Sequence, residues 1–146
     1  MNVLIRPATK YDLASIKALE DELHDYSVDP SVQWKHFENN PDRVVLLAEI
    51  EGKVVGMVKL NLVYKLSKIM SYLDELVVMS SERGSGVGSR LMRAAEDWSW
   101  QHGADIIDFS SRGKHPGALE FYKKLGYEER EAKLYRKKRE GYDGSS

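Results

Sequence analysis

The stretch YLDELVVMSSERGSGVGSRLM, residues 72–92, changes character in its middle. Residues 72–78 are apolar or aromatic apart from Asp74 and Glu75, and they read as a strand. Arg83, Gly84, Ser85, Gly86, Val87 and Gly88 follow as a glycine-rich turn. Val87, Leu91, Ala94 or Ala95, and Trp98 then recur at helical spacing until Gly103 stops the pattern. Glycine turns the backbone tightly and lets a ligand approach without meeting a Cβ. The first turn of a helix leaves N–H groups without acceptors, and its dipole favours an anion. A phosphate or diphosphate suits such a seat, with Arg83, Arg90, Ser85 and Ser89 available beside it. The same residues also suit a plain loop closed by a glycine cap.

Two phosphate motifs are excluded by spacing. An ATPase loop needs GxxxxGK followed by Ser or Thr, and no such run exists. The dinucleotide fingerprint GxGxxG needs glycine at 89 or 91, where Ser89 and Leu91 stand.

Upstream, residues 3–5 read as a short strand ended by Pro7. Thr9 and Asp12 resemble a capping box. Leu13, Ile16, Leu19 and Leu23 then mark one face of a helix over about 11–24. A second short helix is expected over 31–39, anchored by Trp34 and Phe37. Residues 44–50 and 54–62 are two strands joined by a turn at Glu51-Gly52-Lys53. Downstream, 104–109 reads as a strand and 116–125 as a helix begun by Pro116 and stopped by Gly126. Residues 129–136 read as a last amphipathic strand. The order β-α-α-β-β-β-α-β-α-β predicts an α/β fold with a central mixed sheet flanked by helices. Two adjacent hairpin-like connections argue against a doubly wound dinucleotide fold.

The chain has 146 residues, a formal charge of −1, 42% hydrophobic and 31% charged residues. That length and mix predict one domain over 1–140 with a polar, disordered tail over 141–146. Near-zero net charge argues against a broad nucleic-acid-binding face. The absence of cysteine excludes a thiolate nucleophile and a cysteine zinc cluster, and it fits a cytoplasmic location. No stretch is long and apolar enough for a membrane span, and no signal peptide is apparent at the start. His24, His36 and His102 show no spacing that suggests a metal, so none is expected.

Taken together, these stretches resemble the GNAT N-acetyltransferase family. Residues 83–88 match its Gln/Arg-x-x-Gly-x-Gly/Ala signature. Residues 5–9 (IRPAT), 54–56 (VVG), 76–78 (LVV) and 118–127 (ALEFYKKLGY) resemble its opening strand, hairpin, central strand and late helix. The resemblance implies a GNAT-like fold and acetyl-CoA as cofactor. It implies that main-chain amides of about Ser85 to Arg90 (Ser85, Gly86, Val87, Gly88, Ser89, Arg90) hold the diphosphate, with Arg83 and Gly84 in the same cofactor-binding loop. It places pantetheine against Leu76, Val77, Val78 and Met79, with the amide near Val78 donating to the thioester oxygen. Tyr72 to Ser80 and Phe121-Tyr122-Lys123 also resemble the diamine and polyamine acetyltransferases, with the acid pair inverted to Asp74-Glu75. Where the family often has Asn before the late helix, this chain has His115, which either replaces a cofactor contact or caps the helix.

An amine attacks a thioester only when neutral, so its proton must be accepted, and the departing thiolate benefits from a donor. The resemblance makes Tyr122 that donor. Asp74 and Glu75 are adjacent on a strand, so alternation turns them to opposite faces unless a bulge intervenes. An acid in an apolar strand costs desolvation unless paired or functional. Either Asp74 or Glu75 is therefore a candidate proton acceptor. Glu20, Asp21, Glu22 and Asp25 offer an acidic face for a cationic acceptor, and Trp34 an aliphatic contact or a core anchor. The expected reaction is direct transfer of acetyl from acetyl-CoA to the primary amine of a small molecule, such as a diamine or polyamine. Alternatives are a protein lysine or N-terminal acetyltransferase and a non-catalytic acyl-CoA-binding module. Exposed strand edges leave room for a homodimer.

Overall fold

A computed structural model describes residues 2–111 and 116–144. The chain divides into two compact units, 1–110 and 111–146.

In the first unit, β1 (Val3–Pro7) runs into a 3-10 turn at Lys10–Asp12 and then helix α1 (Leu13–Leu23). The capping box forms: Thr9 N donates to Asp12 Oδ2 at 2.8 Å, and Tyr11 N donates to Thr9 Oγ1 at 3.3 Å. Strands β2 (Arg43–Ile50), β3 (Lys53–Tyr64) and β4 (Ile69–Val78) form an antiparallel meander. Helix α2 (Val87–Gln101) and strand β5 (Ile106–Asp108) complete the unit. The sheet order is β1-β2-β3-β4-β5, with only the last pair parallel. The expected mixed sheet with flanking helices is present. The helix expected over 31–39 shrinks to a single 3-10 turn, Trp34–His36.

Strand alternation splits the core into two faces. Val45, Leu47, Met57 and Val77 pack with Ile16 and Leu19 of α1. On the opposite face Val87, Leu91, Met92 and Ala95 of α2 are fully buried. Gly56 makes this close approach possible. A Cβ there would stand 3.0 Å from Leu91 Cδ1 and 3.2 Å from the Val77 carbonyl oxygen. Ser99 Oγ donates to Ser71 Oγ at 2.8 Å, so the polar pair under α2 is satisfied.

In the second unit, α3 (Ala118–Lys124) begins after Gly117 and ends at Gly126, both at positive φ. The strand expected over 129–136 does not form; residues 127–139 carry neither helix nor strand. Leu134 and Tyr135, its apolar positions, are exposed. Among the described residues this unit holds no second strand, and a lone strand leaves its N–H and C=O groups without a ladder. Among the described residues, no helix is long and apolar enough to cross a membrane.

Candidate active site

The β3–β4 ladder slips by one residue at its centre. Lys59 faces Glu75 and Leu60 faces Leu73, so Asp74 is an extra residue with no partner across the ladder. This is the bulge that lifts strict alternation for Asp74 and Glu75, so both carboxylates reach the same ammonium. The ammonium of Lys59 hydrogen-bonds Glu75 and stands 3.7 Å from Asp74 Oδ2. It also donates to Glu20 Oε1 of α1 at 2.6 Å. Glu75 is mostly buried, with 15% of its side chain exposed, whereas Asp74 keeps 46%.

His24 closes the group from the C-terminal end of α1. Its Nε2 lies 3.1 Å from Glu20 Oε2 and 3.2 Å from Glu75 Oε2. Its ring stacks on Tyr26 with centroids 4.8 Å apart. Burial pushes the Glu75 carboxyl above its usual range, against the pull of Lys59. Burial alone would lower Lys59, but Glu75 and Glu20 outweigh it and hold the ammonium above its usual range. The buried group thus combines a firmly charged ammonium with carboxylates in excess of it.

Neither Lys59 nor His24 was singled out from the sequence. Lys59 stood as a lone cation inside the apolar run VVGMVKLNL, and a buried charge needs a partner. His24 follows Glu20 by four residues, the spacing of neighbours on one helix face. The histidines themselves stay scattered in sequence, but the fold brings the ligand-type atoms of Glu20, His24 and Glu75 within 4.8 Å of one another.

The other acids of the expected acidic face are placed apart from this group. Asp21 accepts from Lys17 Nζ at 3.0 Å and from the Val28 amide at 3.2 Å, which fastens the loop after the helix. Glu22 accepts the Ser80 amide at 2.8 Å. Asp25 is exposed. Trp34 packs against the α1-side core, with its indole N–H buried and without a partner. It also lines a cleft of about 740 Å³ with Phe37 and Arg43, a cleft to which β4 contributes nothing.

Beside the bulge lies an open edge. β5 pairs with β4 only at Met70, Ser71 and Tyr72, so residues 73–78 have no strand neighbour on that side among the described residues. Met79 N donates to Val55 O at 2.8 Å, and backbone alternation then turns the Val78 N–H toward the open edge. Past β4, Gly84 and Gly86 adopt φ of +83° and +92°. A Cβ at either would meet nothing within 4 Å, so it is the left-handed backbone that requires glycine. Gly86 caps α2, whose first-turn amides at Val87, Gly88 and Ser89 have no acceptor within the helix. Several side chains of this loop are already engaged. Ser85 Oγ donates to Glu82 O, Arg83 reaches Glu22 at 3.4 Å, and Arg90 reaches Val3 O at 3.4 Å. The seat is main-chain in character. Val77 and Val87 have buried side chains and offer only backbone; Leu76 is partly exposed.

In the second unit, Tyr122 is half-buried and packs edge-on to Phe121 and Tyr127, at 5.2 and 6.3 Å between centroids. Burial pushes its phenol above the usual range, so it keeps its proton at neutral pH. His115 lies outside the described residues.

Residues 11–127 match the acetyltransferase (GNAT) family. The chain is 33% identical over 130 residues to an aminoalkylphosphonate N-acetyltransferase of Salmonella typhimurium, covering 86% of this chain and 84% of that one. Its fold is similar to that of an aminoglycoside N-acetyltransferase in complex with CoA, with a TM-score of 0.83 and 20% identity over 94% of this chain and 95% of that one. It is also similar to a glucosamine-6-phosphate N-acetyltransferase from Arabidopsis thaliana, with a TM-score of 0.80 and 17% identity over 94% and 99% of the two chains. A strand splayed from its neighbour, first-turn amides left without helical acceptors after a glycine turn, and a family match over residues 11–127 converge: the chain belongs to the acetyltransferase (GNAT) family and is an acetyl-CoA-dependent N-acetyltransferase.

Proposed function

We propose that the enzyme acetylates the primary amine of a small cationic molecule, with diamines and polyamines as acceptors, by direct attack in a ternary complex. The observation that carries this reading is the bulge at Asp74, which sets two carboxylates on the side where Lys59 and Glu20 already lie. Three carboxylates against one ammonium leave an excess of negative charge that attracts a protonated amine. A second reading, an aminoalkylphosphonate acceptor, is supported by the Salmonella relative.

The residues present fit acetyl-CoA. The open cradle at Gly84 and Gly86 and the first-turn amides of α2 suit its diphosphate. The edge of residues 73–78 suits a pantetheine arm, with Val78 N–H turned toward it. When bound, the cofactor supplies an acetyl group activated as a thioester. Asp74, the more exposed acid, receives the acceptor's ammonium and takes its proton, directly or through water. The neutral nitrogen would then form the C–N bond as the C–S bond breaks, giving up its second proton to water, while Tyr122 would pass its phenolic proton to the departing sulfur and be reprotonated from solvent. Residues 1–140 act as one domain in this reading, which is supported by the extent of the family match.

The test is CoA release with acetyl-CoA and a panel of putrescine, spermidine, aminoalkylphosphonates, aminoglycosides and peptides. Turnover with the di- and polyamines, and a higher KM for them in Asp74→Asn, is the expected result. Preference for the phosphonates selects the second reading. No turnover above hydrolysis with any small amine overturns both.

A further inference from the structure

We propose that Glu20, His24 and Glu75 form a binding site for a divalent first-row transition-metal ion. Glu20 and His24 stand one turn apart at the end of α1, and Glu75 reaches them from β4. Each carboxylate turns its Oε2 toward His24 Nε2, at 3.1 and 3.2 Å. Despite that distance, Glu75 Oε2 makes no hydrogen bond and is shut away from water. A buried carboxylate oxygen that accepts no hydrogen bond is costly unless a cation sits beside it. Metal–ligand bonds of about 2.1 Å meeting at about 90–110° leave ligand-to-ligand edges of about 3.0–3.4 Å. The two nitrogen-to-oxygen separations fall in that range, and the two carboxylate oxygens lie within 4.8 Å of each other.

The surroundings prepare the same three atoms. Lys59 occupies the Oε1 atoms of both glutamates and leaves their Oε2 atoms free to converge. Stacking on Tyr26 holds the imidazole in place. The charges agree as well. Glu20, Glu75 and Asp74 set three carboxylates against the one ammonium of Lys59, an excess of negative charge that favours a cation at the buried pair. Two carboxylates and an imidazole suit Zn²⁺, Co²⁺, Mn²⁺ or Ni²⁺, and three protein ligands leave positions for water or a substrate atom. Asp74, outside the three ligands and more exposed, is left to meet the acceptor's ammonium. The site stands beside the acetyl-transfer reading and does not depend on it.

The experiment uses the full chain, stripped with a chelator and titrated with Co²⁺ by visible absorption and with Zn²⁺ by calorimetry. One ion per chain is expected, with d–d bands of a nitrogen-and-oxygen-ligated site. His24→Ala weakens binding by at least about tenfold, and Glu75→Gln does the same. His36→Ala, on the 3-10 turn, leaves it unchanged. His24 is partly exposed, so its variant keeps the test valid even if Glu75→Gln fails to fold. Absence of saturable one-to-one binding at millimolar metal overturns the proposal, and so does unchanged affinity in His24→Ala. A protonated His24 bridging the two glutamates would give that negative result. Acetyl-CoA affinity, measured on the stripped protein, reports separately on the glycine loop and stays intact in either case.

Discussion

Helix α1 carries an ion cluster at each end, and the two are built on opposite principles. At its start, Arg6 grips Asp12 with two hydrogen bonds of 2.8 Å and reaches Glu49 at 3.1 Å. Asp12 Oδ2 also accepts the Thr9 amide. A planar guanidinium matches a carboxylate in two places at once, and the backbone supplies a further donor. Arg6 and the Thr9 amide therefore hold Asp12 down, from the ordinary 3.8 to about 2, against the cost of burial. At the other end Lys59 offers a point charge to three acids, and burial pushes Glu75 upward instead. The closed cluster stabilises the fold. The open one is a charge imbalance tolerated inside the protein, the kind of local inconsistency that marks a working site.

The largest test of that contrast is Lys59→Met. Removing the ammonium leaves the buried glutamates without their partner, and stability measured by urea unfolding at pH 7 should fall by about 3–5 kcal/mol. An unchanged urea midpoint would mean that the cluster is neutral already, and the distinction from the Arg6 cluster would disappear. Asp74→Asn comes next. It should lower kcat/KM for a cationic amine by about 100-fold, or about 2.7 kcal/mol of transition-state free energy, while the urea midpoint stays level. A fall in stability with full activity would make Asp74 a structural acid like Asp12.

Asp12→Asn is the converse. The depressed value of Asp12 amounts to about 2 kcal/mol of stability at neutral pH. A carboxyl lowered in the folded state contributes fully above its unfolded value near 4 and loses that contribution as the pH falls through about 2. The gap between wild type and Asp12→Asn should therefore be widest above pH 5 and close toward pH 2, with kcat unaltered at pH 7. A gap independent of pH would show that the hydrogen bonds, not the charge, are at work.

What was legible in the sequence was local. The Thr9–Asp12 capping box, the glycine turn at 84–88 and the α1 stripe each depend on residues a few positions apart, and all three appear as read. The open cluster depends on register. Lys59, Glu75 and Glu20 are brought together by a one-residue slip in the β3–β4 ladder, and a slip has no composition of its own. Alternation alone therefore placed Asp74 and Glu75 on opposite faces. The strand expected over 129–136 fails for the complementary reason: its amphipathic pattern was present, but pairing partners are not encoded in the segment itself.

The smallest effect is expected from Asp21→Ala. In the sequence Glu20, Asp21, Glu22 and Asp25 form a single acidic face, but a helix turns about 100° per residue and gives each neighbour a different outlook. Glu20 points into the protein, and Glu22 reaches the Ser80 amide. Asp21 faces solvent, where it accepts from Lys17 and from the Val28 amide, while Lys17 also donates to Val28 O at 3.1 Å. Exposed pairs of this kind contribute little, because water screens them and both side chains lose freedom in forming them. Asp21→Ala should thus leave kcat and the acceptor's KM within about twofold of wild type and loosen only the loop after α1, seen as faster amide exchange at Val28. If KM for a cationic acceptor instead rises more in Asp21→Ala than in Asp74→Asn, the acceptor is met by the outer face of α1 and not by the β4 bulge. The open cluster would then be a structural charge group, no different in kind from the one at Arg6.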